Sequence, residues 1–214
     1  MNMNEKIEKI KLKYNSLCSI PSDINEHLPT LFKYATECES ILETGVRGVV
    51  SSWALSYGLL LNGSSNKTIL FNDIVPCDMK EIIDHLEGLD IKISKEWKNN
   101  LEMKLNQNFD LVFIDTWHVY GQLKRELEKF APITNKYIIM HDTTVDEFYG
   151  ETIRWMGGHP TAVRQSQETG IPVDEILKGL GFAVKEFLEN NEDWFLREKF
   201  TNNNGLTILE KKVK

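Results

Sequence analysis

Acidic residues and histidines stand at the ends of apolar runs in this chain, and their types set out a chemistry. Asp73 follows the run 68–71, Asp115 closes Phe109-Asp-Leu-Val-Phe-Ile114, and His141-Asp142 closes 137–140, with His118 three residues beyond Asp115. In an open α/β sheet, ligands bind outside the carboxyl ends of the strands, so these are the positions to read first. Asp115 and Asp142 on neighbouring strand tips would repel one another unless protonated, paired or bound to a cation. With His141 between them they form a candidate site for a hard divalent metal, Mg²⁺ or Mn²⁺. Asp73 can accept two hydrogen bonds from a ribose diol. Each aspartate taken singly also fits a helix cap.

A second cluster lies in ILETGVRGVVSSW, where Glu43, Thr44 and Gly45 end an apolar run and Gly48, Ser51 and Ser52 open a helix. Gly45 and Gly48 let a backbone approach a ligand, and the two serines offer hydroxyls beside it. The spacing is not GxGxxG, so a plain glycine turn fits as well.

The elements that must hold these residues alternate between short apolar runs and amphipathic helices, the pattern of βαβ units and a parallel sheet. Strands are expected at 41–44, 68–71, 89–93, 109–114 and 137–140. Helices are expected at about 49–61, at Met79, Ile82, Ile83 and Leu86 on one face, and around Leu123, Leu127 and Phe130. The tail reads as a helix at 180–189 and strands at 194–200 and 206–210. Asn202-Asn203-Asn204-Gly205 between those strands predicts a reverse turn and an antiparallel hairpin. The fold class is therefore α/β: a Rossmann-like, mostly parallel seven-stranded sheet with a C-terminal antiparallel hairpin and helices on both faces. Two helices at 4–14 and 24–35, the second capped by Ser22 or Asp23, precede it. Residues 1–36 are expected on the substrate side, 37–214 as the Rossmann-like domain, and 148–172, which lacks a period, as a surface lid.

Length and charge narrow the function. The 214 residues fit one domain, and 41% apolar with 27% charged residues is an ordinary globular composition. A net charge of −7 gives no basic stripe for a phosphate backbone, so nucleic acid is not expected as a substrate. The charged N-terminal segment lacks a signal-peptide core and no run suits a membrane span, so a cytoplasmic protein is expected. Cys18, Cys38 and Cys77 read as reduced structural thiols. His27, His85 and His159 lack partner spacing, and Trp117 fits either a core position or a stacking role.

ILETGVRGVVSSWAL resembles the first cofactor motif of class I S-adenosylmethionine-dependent methyltransferases. FDLVFIDTWHVYGQLKRELEKFAP followed by YIIMHDT resembles the branch with cephalosporin hydroxylase-like proteins and macrolide-sugar O-methyltransferases, as does the tail from GLGFAVKEF to TILEK. The resemblance covers about residues 39–211. It implies S-adenosylmethionine with its methionine end at Glu43 and Gly45 and its ribose on Asp73, Asp115 and Asp142 as metal ligands, and His118 as the base. Where the sugar enzymes have Glu-Asp, this chain has His141-Asp142, and histidine is the softer ligand. The implied reaction is metal-assisted O-methylation of a small-molecule or glycan acceptor, a sugar hydroxyl favoured, with a second copy of the chain as a candidate partner.

Two other classes stay open on the sequence. An iron oxygenase would use two histidines and a carboxylate, a set that His118, His141 and Asp142 could supply. A nicotinamide oxidoreductase would want the missing GxGxxG. A non-catalytic module would keep the fold as a binding scaffold.

Overall fold

In the computed structural model, which describes residues 2–212, a seven-stranded sheet runs in the order β3-β2-β1-β4-β5-β7-β6. The strands are β1 (Ser40–Thr44), β2 (Thr68–Asp73), β3 (Lys92–Trp97), β4 (Phe109–Ile114), β5 (Thr134–His141), β6 (Trp194–Phe200) and β7 (Leu206–Lys211). The helices are α1 (Met3–Ser19), α2 (Leu28–Thr36), α3 (Val50–Leu61), α4 (Lys80–Leu86), α5 (Tyr120–Phe130), α6 (Glu151–Arg154), α7 (His159–Thr169), α8 (Val173–Leu177) and α9 (Leu180–Asn190). The chain divides into two compact units, one up to Ile114 together with Thr134–Tyr137, the other Asp115–Ile133 with the chain from Ile138 onward.

In the first unit, β1 pairs in parallel with β2 on one side and β4 on the other. That is where strand order reverses, the point at which a doubly wound sheet offers a crevice at its carboxyl ends. β4 is buried along its whole length, as its near-continuous apolar run predicts, and Asp110 within it accepts from Glu39 N–H at 2.9 Å. β3 starts three residues later than expected. Leu89 is instead buried in a turn, with Ile91 N–H donating to its carbonyl, and the strand is a charged edge, KISKEW, with no apolar run to mark it.

The N-terminal helices pack in the same unit. An Asn2–Glu5 capping box opens α1. The second helix begins at Leu28 rather than Ile24, because Pro29 fits its first turn and residues Asn25–His27 form a 3-10 turn. Ser22 Oγ accepts from Ile24 N–H at 3.3 Å ahead of that turn, and neither the turn nor the helix has a side-chain cap, so neither Ser22 nor Asp23 caps the helix. α2 crosses α3 closely at Gly58, where an added Cβ would press on the Phe32 carbonyl and come within 2.7 Å of Ala35 Cβ. Gly58→Ala is accordingly expected to destabilise the protein by about 1–3 kcal/mol, the cost of overpacking, read as a lower urea midpoint at unchanged slope.

In the second unit, α9 leads into the antiparallel β6–β7 pair. The turn between those strands puts Asn203, Asn204 and Gly205 at positive φ, the conformation asparagine and glycine tolerate best. The segment 148–172 carries two helices, α6 and α7, where the sequence shows no period. α7 is mostly polar with Ala162 as its buried residue, starts after Gly158 and stops at Gly170, both at positive φ. No helix among the described residues is long and apolar enough to cross a membrane.

Candidate active site

The loop after β1 carries unusual backbone. Gly45, Arg47 and Val49 all have positive φ, and for a β-branched residue such as Val49 that is a strained conformation. The strain shapes a turn whose chain then enters α3. Gly48 has room for a Cβ, its nearest neighbour being Val50 Cγ2 at 3.8 Å, so the chain itself does not require a glycine there. Below the loop Glu43 is fully buried and accepts from Ser51 Oγ at 2.5 Å. Thr44 spends its hydroxyl on the Phe113 carbonyl at 3.1 Å. Ser52 Oγ is buried without a hydrogen-bond partner among the described residues.

Asp73 is not a helix cap: α4 opens at Met79 without a side-chain cap. Its carboxylate instead accepts from Arg47 N–H at 2.9 Å and Val75 N–H at 3.1 Å, one to each oxygen. The Cys77 side chain also hydrogen-bonds the Asp73 carboxylate, so a diol making two hydrogen bonds there would share or replace that contact. A strained glycine-containing turn, an orphaned buried hydroxyl and a half-buried carboxylate held from below suit a polar ligand such as a nucleoside.

The second unit gathers the remaining candidates. Asp115, His118 and Asp142 bring one ligand atom each to within 4.8 Å of one another. His118 Nε2 lies 3.1 Å from Asp115 Oδ1 and 3.2 Å from Asp142 Oδ2. His141 Nδ1 lies 3.5 Å from Asp115 Oδ1 and 3.3 Å from Asp142 Oδ2, while its Nε2 meets the Asn203 carbonyl at 3.2 Å. Neither Asp115 nor His118 caps α5, whose N-cap is Val119 with no side-chain hydrogen bond. Asp142 sits at φ 56°, and its Oδ1 is buried with no partner among the described residues. A buried carboxylate oxygen left in that state fits a cation. The donor spacing fits as well: cis ligands about 2.1 Å from a six-coordinate ion lie about 3 Å apart.

Electrostatics follow from the packing. Burial alone would lower the His118 pKa, but hydrogen bonding to Asp115 and Asp146 and the charges of Asp115 and Asp142 hold it well above its usual value. His141 is likewise pushed up to about 10, Asp115 and Asp142 outweighing burial. Burial favours the neutral acid at Asp115, yet the two imidazoles keep its carboxyl well below the usual range. The carboxylates of Asp115, Asp142, Asp146 and Glu151 all lie within 3.9 Å of His118, and Arg154 on Asp146 is the permanent cation among them. Charge balance thus asks for protonated imidazoles or a bound cation.

Asp146, Glu151, Arg154 and the Asn203 carbonyl were not singled out by the sequence. Asp146 follows Asp142 by four residues in TTVDEF, and no apolar pattern marks it as buried. Trp117 packs beside Val119, Ala162, Ile171 and Ile176, which is the core reading of that residue. His85 is half-buried edge-on against Trp53, with Nδ1 2.7 Å from the Glu81 carbonyl, and all three cysteines are free.

Comparison with solved structures decides the fold. TomG from Streptomyces achromogenes, an O-methyltransferase in complex with S-adenosylmethionine, superposes with a TM-score of 0.55 over 98% of this chain and 90% of its own, at 12% identity. The fold is that of the class I methyltransferases. A Staphylococcus aureus protein assigned as a caffeoyl-CoA O-methyltransferase gives a TM-score of 0.57 at 16% identity, covering 99% and 93% of the two chains. The methyltransferase fold also serves the N-methyltransferase NodS from Bradyrhizobium japonicum, with a TM-score of 0.51 at 11% identity over 88% and 96%. No family model and no curated protein sequence matches the chain. The architecture implied by the cofactor-motif resemblance is thereby borne out.

Proposed function

We propose that this protein is an S-adenosylmethionine-dependent O-methyltransferase that uses a divalent cation, Mg²⁺ or Mn²⁺, to act on a hydroxyl of a sugar, glycan or other small molecule. The observation that carries this reading is the Asp115–His118–Asp142 cluster, at strand ends of a methyltransferase fold, with a buried carboxylate oxygen left without a partner. Glu43, Thr44, Gly45, Gly48, Ser51 and Ser52 would hold the donor's methionine end, and Asp73 its ribose. Asp115 and Asp142 would hold the cation, with His141 steadying both carboxylates.

The sulfonium donor supplies an electrophilic methyl, and a divalent cation lowers the pKa of a bound hydroxyl. The chain's task is to remove the proton. His118 Nε2, within 3.2 Å of both metal-site carboxylates, is placed to receive it. The nearly equal distances from His118 Nε2 to the two carboxylates, 3.1 and 3.2 Å, support a second reading in which Nε2 is itself a ligand, since one nitrogen cannot do both. A set of two carboxylates and one histidine suits a hard cation better than the two-histidine set of an iron oxygenase. The sugar preference rests on the branch resemblance and the net charge of −7.

Calorimetry with S-adenosylmethionine tests the donor half. Asp73→Ala should weaken binding by about 1–3 kcal/mol, the range for losing hydrogen bonds to a charged acceptor. Affinity equal to wild type would remove Asp73 from the donor site.

A further inference from the structure

We propose that the turn between β6 and β7 is a positioning element for the candidate metal site, with Asn204 holding the loop after β5 through its backbone carbonyl so that the Asp142 carboxylate meets Asp115 and His118. β7 lies beside β5 in the sheet, and the turn that precedes it reaches the loop that carries Asp142. The Asn204 carbonyl accepts from two successive amides there, Thr144 N–H and Val145 N–H, each at 2.9 Å. The Asn203 carbonyl meets His141 Nε2 at 3.2 Å, and Thr207 Oγ1 donates to Thr143 Oγ1 at 2.8 Å in a buried contact. His141, Thr143, Thr144 and Val145 are thus fastened to the hairpin, and Asp142 lies among them.

Both backbones adopt conformations that need such support. Asp142 has φ 56°, and its carbonyl accepts from Asp146 N–H at 3.1 Å, which closes the loop into a turn. A left-handed residue whose buried Oδ1 has no hydrogen-bond partner among the described residues persists only where its surroundings over-determine it. In the hairpin, Asn203, Asn204 and Gly205 follow one another at φ 45°, 68° and 97°. A Cβ on Gly205 would stand 2.5 Å from Thr144 N, so the glycine is required by the loop it touches as well as by its own φ.

Closing the hairpin accounts for only part of this arrangement. The Gly205 N–H, donating to the Asn202 carbonyl at 2.8 Å, already closes the turn, and a surface turn with no other task leaves its remaining carbonyls to water. Here two of them are spent on the loop beyond β5, and that of Asn204 accepts twice. Partners outside the ligand shell act in this way, by fixing the orientation of the groups that bind the ion.

The proposal rests on the cation reading, and its test keeps the two apart. Asn204→Gly retains the carbonyl and the left-handed freedom, whereas Asn204→Val retains the carbonyl and disfavours the φ it needs. Mn²⁺ binding to the full-length protein is read by electron paramagnetic resonance, the amides of residues 142–146 by ¹H–¹⁵N spectra, and stability by urea unfolding. Asn204→Gly is expected to bind Mn²⁺ as wild type does. Asn204→Val should bind it about 10- to 100-fold more weakly, with the Thr144 and Val145 amides shifted and S-adenosylmethionine affinity unchanged. Thr207→Val, which removes the donor to Thr143, should weaken Mn²⁺ in the same direction even if the first variant fails to fold. A merely structural turn would lower the urea midpoint and leave the Mn²⁺ affinity of the folded variants at the wild-type value, and that result, or an equal loss in Asn204→Gly, would overturn the assignment. A wild type that binds no Mn²⁺ sinks the cation reading alone if the amides of residues 142–146 still shift in the variants, and sinks both if they do not.

Discussion

His118→Ala is expected to lower kcat by about 10²- to 10⁴-fold while leaving S-adenosylmethionine affinity nearly intact, because general-base assistance acts in the transition state and not in donor binding. The working form of the base is neutral imidazole, so the wild-type rate should rise with pH as the ring loses its proton. In the metal-free protein Asp115, Asp142 and Asp146 hold that proton well above the ordinary histidine range. A cation placed between the same carboxylates opposes the protonated form, so raising the metal concentration should draw the acidic limb to lower pH. The alanine variant should lose the limb. If His118 is a metal ligand instead, the variant will bind Mn²⁺ far more weakly and recover much of its rate at high metal. Profiles at several metal concentrations separate the two roles.

The second large effect concerns Asp142. Asp142→Asn should abolish metal-dependent activity and weaken Mn²⁺ binding by more than the roughly 10- to 100-fold that follows loss of a partner outside the ligand shell. Asparagine is the informative replacement because it tolerates the left-handed backbone at this position, φ 56°, so the loop can survive while the charge is removed. Chelation of the wild type with EDTA should have the same effect and be reversed by Mg²⁺ or Mn²⁺. An Asp142→Asn protein with full activity would leave the carboxylate as a hydrogen-bonding group and end the metal mechanism.

The parts of this site that the sequence shows are those carried by long periodic elements. A near-continuous apolar run as short as Phe109–Ile114 predicts a strand buried on both faces, and a polar residue directly after it then sits at the strand's tip, which is how Asp115 is found. Asp73 and His141-Asp142 are legible for the same reason, and the Asn-Asn-Asn-Gly turn is legible because few residues accept its φ values. What is hidden depends on tertiary contact. Asp146 is held by Arg154 of α6 and by the first residue of α9, Leu180, partners 8 and 34 residues away that no local pattern announces. The polar helix α7 buries too little to print a stripe, and β3 lies at a charged edge where apolar alternation is not needed. The roles of Gly48 and Thr44 are visible in space but not in spacing, since one has open surroundings and the other satisfies a β4 carbonyl.

The deciding measurement is methyl transfer itself. The protein would be incubated with S-adenosylmethionine labelled in its methyl group and a panel of sugars and phenols, in parallel with Mg²⁺, Mn²⁺ and EDTA. Label is expected in an alkali-stable ether on a hydroxyl acceptor, formed with either metal and lost in EDTA, with a stoichiometric release of S-adenosylhomocysteine. Label transferred equally in EDTA, transfer to nitrogen or sulfur acceptors alone, or a protein that binds no S-adenosylmethionine would contradict metal-assisted O-methylation.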